Sequence, residues 1–175
     1  MDEKTAFAEA CERIEAQKLP RWEALPDFEL YMDQVLSLIG RYLGSYPGFD
    51  KKGLTGSMVN NYVKLGVMPP PVKKKYTRTH LAFLIMICVL KASLPMDAIR
   101  SLLAASTESD EVSVCYDRFC EQFEQAGTAA AAEARNGLTD DTLYPVLSAA
   151  LRAQAEQALS RSLCAALCSD EREKK

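Results

Sequence analysis

Apolar residues recur at helical spacing along most of the chain, and this pattern predicts a mainly α-helical protein. The helix predicted over 79–92 is apolar on nearly every side, so we expect it to form the buried centre of the domain. The other predicted helices span 3–17, 27–42, 55–65, 95–105, 112–125 and a last stretch from about 139 or 145 to 168. Gly127 and Asn136-Gly137 are expected to interrupt the alanine-rich region between the last two.

The stretch 53–81 has the most distinctive pattern in the sequence. Thr55 is a good N-cap for the helix over 55–65, and Gly66 is expected to end it in the left-handed conformation. The prolines at 69–71 then exclude helix and central strand. The polar outer face of this helix carries Ser57, Asn60, Asn61 and Lys64, and the basic loop after the prolines carries Lys73, Lys74, Lys75, Tyr76 and Arg78. A short helix with a polar outer face, followed by a rigid turn and a basic loop, indicates nucleic-acid binding.

These residues resemble a known family. The run Gly53-Leu54-Thr55, then Val59, Tyr62, Gly66-Val67-Met68 and Pro69, resembles the second helix and turn of MerR-like winged helix-turn-helix proteins. The chain is also similar to an uncharacterised bacterial branch of that superfamily, in which Leu-Pro-x-Trp-x-x-Leu-Pro, here residues 19–26, precedes the same block. The sequence departs from the family at Asn60 and Asn61, where an Arg and an aromatic residue are usual, and at 73–75, where Lys-Lys-Lys replaces Tyr-Arg.

The resemblance implies a fold and a division of the chain. The expected fold is a mainly α winged helix-turn-helix (MerR-like) with a short β-wing and an all-helical C-terminal extension. The parts would be an N-terminal helix over 1–18, the MerR-like DNA-binding domain over 19–105, and a helical C-terminal region over 106–175 for dimerisation or effector binding. Trp22 is expected to pack between the first two helices, and residues 106–111 are expected to be a linker.

The last predicted helix carries a seam of leucine and alanine with two interpretations. The seam could pack inside the chain against the helix that starts at Val112, or it could join two chains. The residues do not decide between them, while the family resemblance implies a homodimer through the C-terminal helices. The seam consists of Leu147, Leu151, Ala155, Ala158, Leu159, Leu163 and Leu167.

Charge is unevenly distributed along the chain. The net charge is −3, but residues 41–100 contain ten basic and two acidic side chains, which leaves +8 there and −11 on the other 115 residues. This segregation predicts a positive surface for a polyanion, with Lys51 and Lys52 as further phosphate contacts. The alternative is a solvated lysine cluster without a partner.

The function expected from these patterns is a transcription regulator that binds double-stranded DNA. The recognition helix 55–65 would enter the major groove and the basic wing 69–78 would contact phosphates. The alternative is a protein–protein interaction module that keeps the fold without binding DNA. The charged N-terminus lacks a signal-peptide core and the longest apolar run, 81–90, is too short to span a bilayer, so a cytoplasmic protein without membrane contact is expected.

Catalytic and metal motifs find little support in the sequence. There is no Gly-rich phosphate loop and no HExxH, so we expect neither an enzyme nor a bound cofactor. The six cysteines are scattered; Cys164 and Cys168 could share a metal through their spacing of four, but buried apolar cysteines explain the pattern more simply and no metal site is expected. His80, beside the basic loop, is expected to be a surface or phosphate-proximal residue rather than a catalytic residue or a metal ligand.

Overall fold

The computed structural model describes residues 3–46, 49, 52–137 and 143–173, with the backbone alone from 168 onward. Seven α-helices and one short 3-10 helix form within these ranges, which confirms the prediction of a mainly α protein. The elements are α1 (Glu3–Glu15), the 3-10 helix (Trp22–Ala24), α2 (Met32–Leu43), α3 (Gly56–Lys64), α4 (Arg78–Leu90), α5 (Met96–Ser109), α6 (Val112–Asn136) and α7 (Leu143–Glu173).

Helix α4 lies at the centre, as its apolar sequence predicts. Every residue from His80 to Cys88 is buried. Helices α2 and α6 pack against α4, α1 runs along α6, and α7 lies on α5. The core joins α4 to the inner faces of α2 and α3 through Val35, Ile39, Leu43, Val59 and Tyr62.

The predicted β-wing is wrong, because no strand forms among the residues that the structure describes. Two isolated antiparallel bridges stand in its place, one between Leu30 and Tyr76 and one between Val72 and Lys75. The backbone N–H groups of Leu30 and Tyr76 each donate to the other residue's carbonyl, both at 2.8 Å. The prolines at 69–71 carry no N–H, so the segment before the second bridge cannot extend the pairing into a ladder.

Two boundaries differ from the prediction for local reasons. Helix α2 begins at Met32 rather than Asp27, because Leu30 is held in the bridge to Tyr76. Residues 106–109 continue α5 instead of forming a linker. Three hydroxyls in that last turn donate to backbone carbonyls three or four residues earlier, and these bonds are compatible with the helical backbone: Ser106, Thr107 and Ser109.

Helix α6 runs through Gly127, where the sequence predicted a break. A Cβ atom added at Gly127 would lie 3.2 Å from the carbonyl oxygen of Ile14 in α1. This glycine therefore marks a close helix crossing. Helix α6 ends at Asn136 rather than at the predicted Gln125, and the predicted start of the next helix at residues 139–141 lies outside the described residues.

Helix α7 has an unusual distribution of side chains. Toward the rest of the molecule it donates hydrogen bonds from Gln157 to the Ala92 carbonyl (3.4 Å) and from Arg161 to the Ser93 carbonyl (3.2 Å). Five of its leucines instead lie 49–62% exposed: Leu147, Leu151, Leu159, Leu163 and Leu167. Packing of these leucines against α6, one of the two predicted alternatives, is therefore not observed. None of the described helices is both long and apolar enough to cross a membrane.

Candidate nucleic-acid interface

Helix α3 is fixed at both ends by the residues that the sequence singled out. The Thr55 hydroxyl accepts the backbone N–H of Met58 at 3.3 Å. At the other end Gly66 has φ of +68°, its N–H donates to the Val63 carbonyl at 3.0 Å, and the Val67 N–H donates to the Tyr62 carbonyl at 2.9 Å. This pair of bonds is a Schellman motif, so both predicted caps are confirmed.

The two faces of α3 differ in polarity and burial, as the helical spacing of its residues predicts. Val59 and Tyr62 face the core, and burial raises the pKa of Tyr62 to about 12. Positions three and four apart on a helix share a face, so the polar residues form one outer surface. Its members are all exposed: Ser57, Asn60, Asn61 and Lys64.

A tight turn over residues 72–75, here called the basic turn, carries the lysines. The Lys75 N–H donates to the Val72 carbonyl at 2.9 Å. The two central residues, Lys73 and Lys74, have φ of +50° and +63° and exposed side chains. Positive φ at both centres is the type I′ pattern, which favours Asn-Gly; lysines there carry a conformational cost of about 1 kcal/mol each.

The basic turn is held in place by a buried histidine. The Nδ1 atom of His80 accepts the Thr77 N–H at 3.0 Å, and its Nε2 atom lies 3.3 Å from the Pro70 carbonyl oxygen. Both contacts are satisfied by a neutral ring that carries its proton on Nε2. Burial lowers the pKa of His80.

The prediction that His80 lies on the surface is wrong, because only 5% of this residue is exposed. Its ring takes the place of the Glu or Gln that usually completes a capping box.

Tyr76 is also removed from the surface. Its side chain is 3% exposed and its ring stands edge-on to His80, with centroids 5.5 Å apart. Tyr76 was predicted to contact DNA, and its burial contradicts a contact through the ring. Its backbone bonds to Leu30 instead position the basic turn.

Two further cations of the predicted site have acidic partners. The Lys75 Nζ atom lies 2.7 Å from a Glu29 carboxylate oxygen, and this hydrogen bond raises the pKa of Lys75. Arg78 is paired with Glu23 at 3.3 Å and lies over the Trp22 ring at 5.6 Å, with a side chain only 17% exposed. Its Nε atom is buried without a hydrogen-bond partner. Arg78 was predicted to contact phosphates; its guanidinium is paired inside the chain, and the phosphate contact stays a prediction.

Trp22 packs in a different place from the one predicted. Its backbone N–H donates to the Asp117 carboxylate at 2.8 Å, and its ring meets Tyr116 of α6 edge-on at 6.4 Å. The Tyr116 hydroxyl donates to the Pro20 carbonyl at 2.8 Å. Trp22 therefore joins the first turn of α4, through Arg78, to α6 rather than packing between the first two helices.

The structure also exposes apolar residues near the basic turn that the sequence did not predict as site residues. Phe28 is 62% exposed, Tyr31 57% and Val72 64%. Phe28 and Tyr31 flank Leu30, and Val72 is the first residue of the turn. The exposure of Phe28 and Tyr31 was missed because 27–42 was predicted as one helix with a buried apolar face.

The structure also locates the other residues that the sequence raised as possible phosphate contacts or metal ligands. Lys52 is exposed, and Lys51 lies outside the described residues. No group of three His, Cys, Asp or Glu side chains that could hold a metal occurs in the described part of the chain. Burial raises the pKa of the Cys88 and Cys120 thiols to about 11, and the Cys168 side chain is not among those described.

The model of the family described as a domain of unknown function (DUF1836) matches residues 20–119, more than half of the chain. The matched segment runs from the connector before Trp22 into the first third of α6, so it contains α3, the basic turn and the Trp22–Tyr116 contact. No curated protein and no solved structure matches the chain.

Proposed function

This chain belongs to the DUF1836 family, and we propose that it is a transcription regulator that binds double-stranded DNA. Helices α2 and α3 would act as a helix-turn-helix of the MerR-like kind, with the basic turn in the position of a wing. The outer face of α3 would enter the major groove, while Lys73 and Lys74 would contact phosphates.

The observation that carries the proposal is the conformation of the basic turn. Lysine is a poor choice for two successive residues at positive φ, where Asn-Gly would relieve the strain. A surface that retains strained residues is a candidate for function. Here the strained residues are cations, they are exposed, and they are held by the Leu30–Tyr76 bonds and the buried ring of His80.

Neighbouring carboxylates restrict which basic side chains are available to bind phosphates. Lys75 is neutralised in place by Glu29 and Arg78 by Glu23, so the freely exposed cations of the site are Lys73, Lys74 and Lys64. The exposed amides of Asn60 and Asn61 suit the donor and acceptor pattern of an adenine edge.

The decisive variant replaces Lys73 by Asn and Lys74 by Gly. This double change removes two charges while giving the turn its preferred residues, so we expect the fold to be stabilised by about 1 kcal/mol or more. Affinity for duplex DNA from the upstream region of its own gene should fall. The slope of log affinity against log salt concentration should shrink by about 1.8, or 0.9 for each lost phosphate contact.

A matched control removes two exposed cations from elsewhere. Arg13→Gln with Lys18→Gln gives the same change in net charge on the N-terminal segment and should leave the salt slope close to that of the wild type. If both variants lost the same affinity for DNA, the effect would come from net charge alone. An unchanged salt slope in the turn variant would contradict the proposal.

A specific observation favours a second candidate, a protein-interaction module. Phe28 and Val72, the first residue of the basic turn, are exposed and apolar, and the Glu29–Lys75 pair lowers the net charge there. This candidate is favoured if the turn variant keeps the wild-type nucleic-acid affinity while Phe28→Ser abolishes a complex with a protein partner.

We also propose that the regulator is a homodimer joined through α7. The support is the row of exposed leucines on that helix, and two chains would present two basic turns to a roughly palindromic site.

A further inference from the structure

A cavity of about 330 Å³ opens between α4, α5 and α6. Its floor is apolar and belongs to all three helices: Met86, Leu90, Leu102, Leu103 and Phe119. Known small-molecule sites range from roughly 300 to 1,000 Å³, so this cavity suits a compact ligand with on the order of ten non-hydrogen atoms.

Three polar groups in the cavity wall have already used their only hydrogen. The hydroxyl of Ser106 donates to the Leu102 carbonyl at 2.8 Å, and that of Thr107 donates to the Leu103 carbonyl at 2.9 Å. The Cys115 thiol donates to the Ser106 carbonyl at 2.8 Å. A hydroxyl that donates its only hydrogen keeps lone pairs, so Ser106 and Thr107 can accept a hydrogen bond from a ligand but cannot donate one without breaking their own.

The ion pair between Arg118 and Asp110 at the cavity favours a neutral ligand over an anionic one. Arg118 is bound to the Asp110 carboxylate at 2.5 Å, so its positive charge is offset and the neighbouring carboxylate repels an anionic ligand group. A neutral donor meets no such opposition. It would also satisfy an acceptor in the wall.

We infer that this cavity binds a small, neutral, largely apolar molecule that carries one hydrogen-bond donor. An aromatic ring system with a single N–H or O–H group has the required size and polarity. The inference concerns a site separate from the DNA-facing surface and stands whether or not the chain binds DNA.

Indole is a suitable probe, and benzofuran is its matched control because an ether oxygen replaces the N–H. In protein labelled with ¹³C at the methionine methyl groups, indole should shift the Met86 signal saturably, with a Kd on the order of 1 mM for so small a ligand. The signal of Met32, which lies beside α3, should not move. Benzofuran should bind about fivefold more weakly, the effect of one lost hydrogen bond.

A pair of variants tests the location. Ser106→Phe should fill the cavity and abolish the Met86 shift, whereas Ser106→Ala removes the hydroxyl without filling it and should retain a saturable shift, weakened by at most about fivefold. A Met86 signal that stays fixed up to the solubility limit of indole would overturn the inference. If benzofuran bound as tightly as indole, the inference that the ligand carries a hydrogen-bond donor would be overturned.

A second readout needs no change to the cavity wall. Among the described cysteines, Cys115 alone is partly exposed, and burial raises the pKa of its thiol. In a Cys168→Ser background, saturating indole should slow alkylation of Cys115 by iodoacetamide several-fold, in step with the Met86 shift. Unchanged alkylation at concentrations that saturate the Met86 signal would contradict binding in this cavity.

Discussion

His80 illustrates how a single side chain can position the basic turn. One neutral imidazole accepts the Thr77 N–H and lies within reach of the Pro70 carbonyl, so it links the first turn of α4 to the proline segment. Protonation of Nδ1 would place a second hydrogen against the Thr77 N–H and remove the acceptor. The histidine therefore makes the local structure sensitive to pH.

We expect the free energy of unfolding to fall as the pH drops below about 6.5. That value is the ordinary pKa of histidine in an unfolded chain. Because burial lowers the pKa of His80 in the folded state, the unfolded chain binds more protons between the two pKa values. The stabilisation is complete above pH 6.5 and is lost as the pH falls through the folded-state pKa. Urea denaturation at pH 7.5 and 5.5 measures the difference.

The control is His80→Gln. A glutamine at this position can accept the Thr77 N–H as in an ordinary capping box but does not titrate. Its stability should change less between the two pH values than that of the wild type, and an identical pH dependence in both proteins would refute the role given to His80.

Single residues were predictable from the sequence where their partners are close in the chain. Thr55 and Gly66 act through backbone groups only a few residues away, so both ends of α3 could be predicted. Lys75 and Arg78 meet carboxylates 46 and 55 residues away. No local pattern contains those pairings, and the sequence therefore overstated the number of free cations.

At the scale of the elements, α1 and α6 are joined along a crossing that a glycine permits. Gly127 brings α6 close to the backbone of Ile14, and the Arg135 guanidinium binds both carboxylate oxygens of Glu15 near the end of α1. That hydrogen bond lowers the pKa of Glu15. The crossing leaves little space for a side chain.

We expect Gly127→Leu to separate α1 from α6. The added side chain would collide with Ile14 and cost about 1–3 kcal/mol of stability, against a gain in helix propensity of up to about 1 kcal/mol. Hydrogen exchange should become faster in α1 while α4 stays protected.

Gly40→Leu is the matched control, because Gly40 also lies inside a helix but has open space around it. This variant should be at least as stable as the wild type. Retained protection of α1 in Gly127→Leu would show that the crossing is not close-packed.

The elements themselves were predictable in proportion to their periodicity. Helix α4 is apolar almost throughout and was predicted within two residues at each end. The start of α2 was misplaced because the bond between Leu30 and Tyr76 overrides helix formation from Asp27. The glycine in α6 was interpreted as a break because close packing against α1 cannot be seen in one helix's sequence.

At the scale of the whole molecule, α7 turns Gln157, Arg161 and the buried Cys164 toward the rest of the chain and leaves the five leucines of the seam exposed. Single exposed leucines are common on protein surfaces, but a row along one helix indicates a contact surface. Eight large apolar side chains of α7 are exposed, and at about 100 Å² each they would supply roughly 800 Å² per chain, the amount in a standard interface. A second copy of the chain would offer the same row in return.

We expect the protein to sediment as a dimer at micromolar concentration and Leu151→Lys with Leu159→Lys to sediment as a monomer. Two charges in the middle of the apolar row would be desolvated without partners on association. Thr5→Lys with Ala8→Lys adds the same charge to exposed positions of α1 and should leave the dimer intact. A wild-type monomer in analytical ultracentrifugation would contradict the proposed interface.

The bond pair between Leu30 and Tyr76 has a consequence for any attempt to dissect the molecule. A peptide covering 53–81 keeps every lysine of the basic turn but loses Leu30 and Glu29, and with them the geometry of the charges. Bringing residues 30 and 76 together closes a long loop, which is entropically costly until the core has formed. The turn therefore acquires its shape only in the folded domain. Its arrangement is thus a cooperative property, present or absent together with the native state.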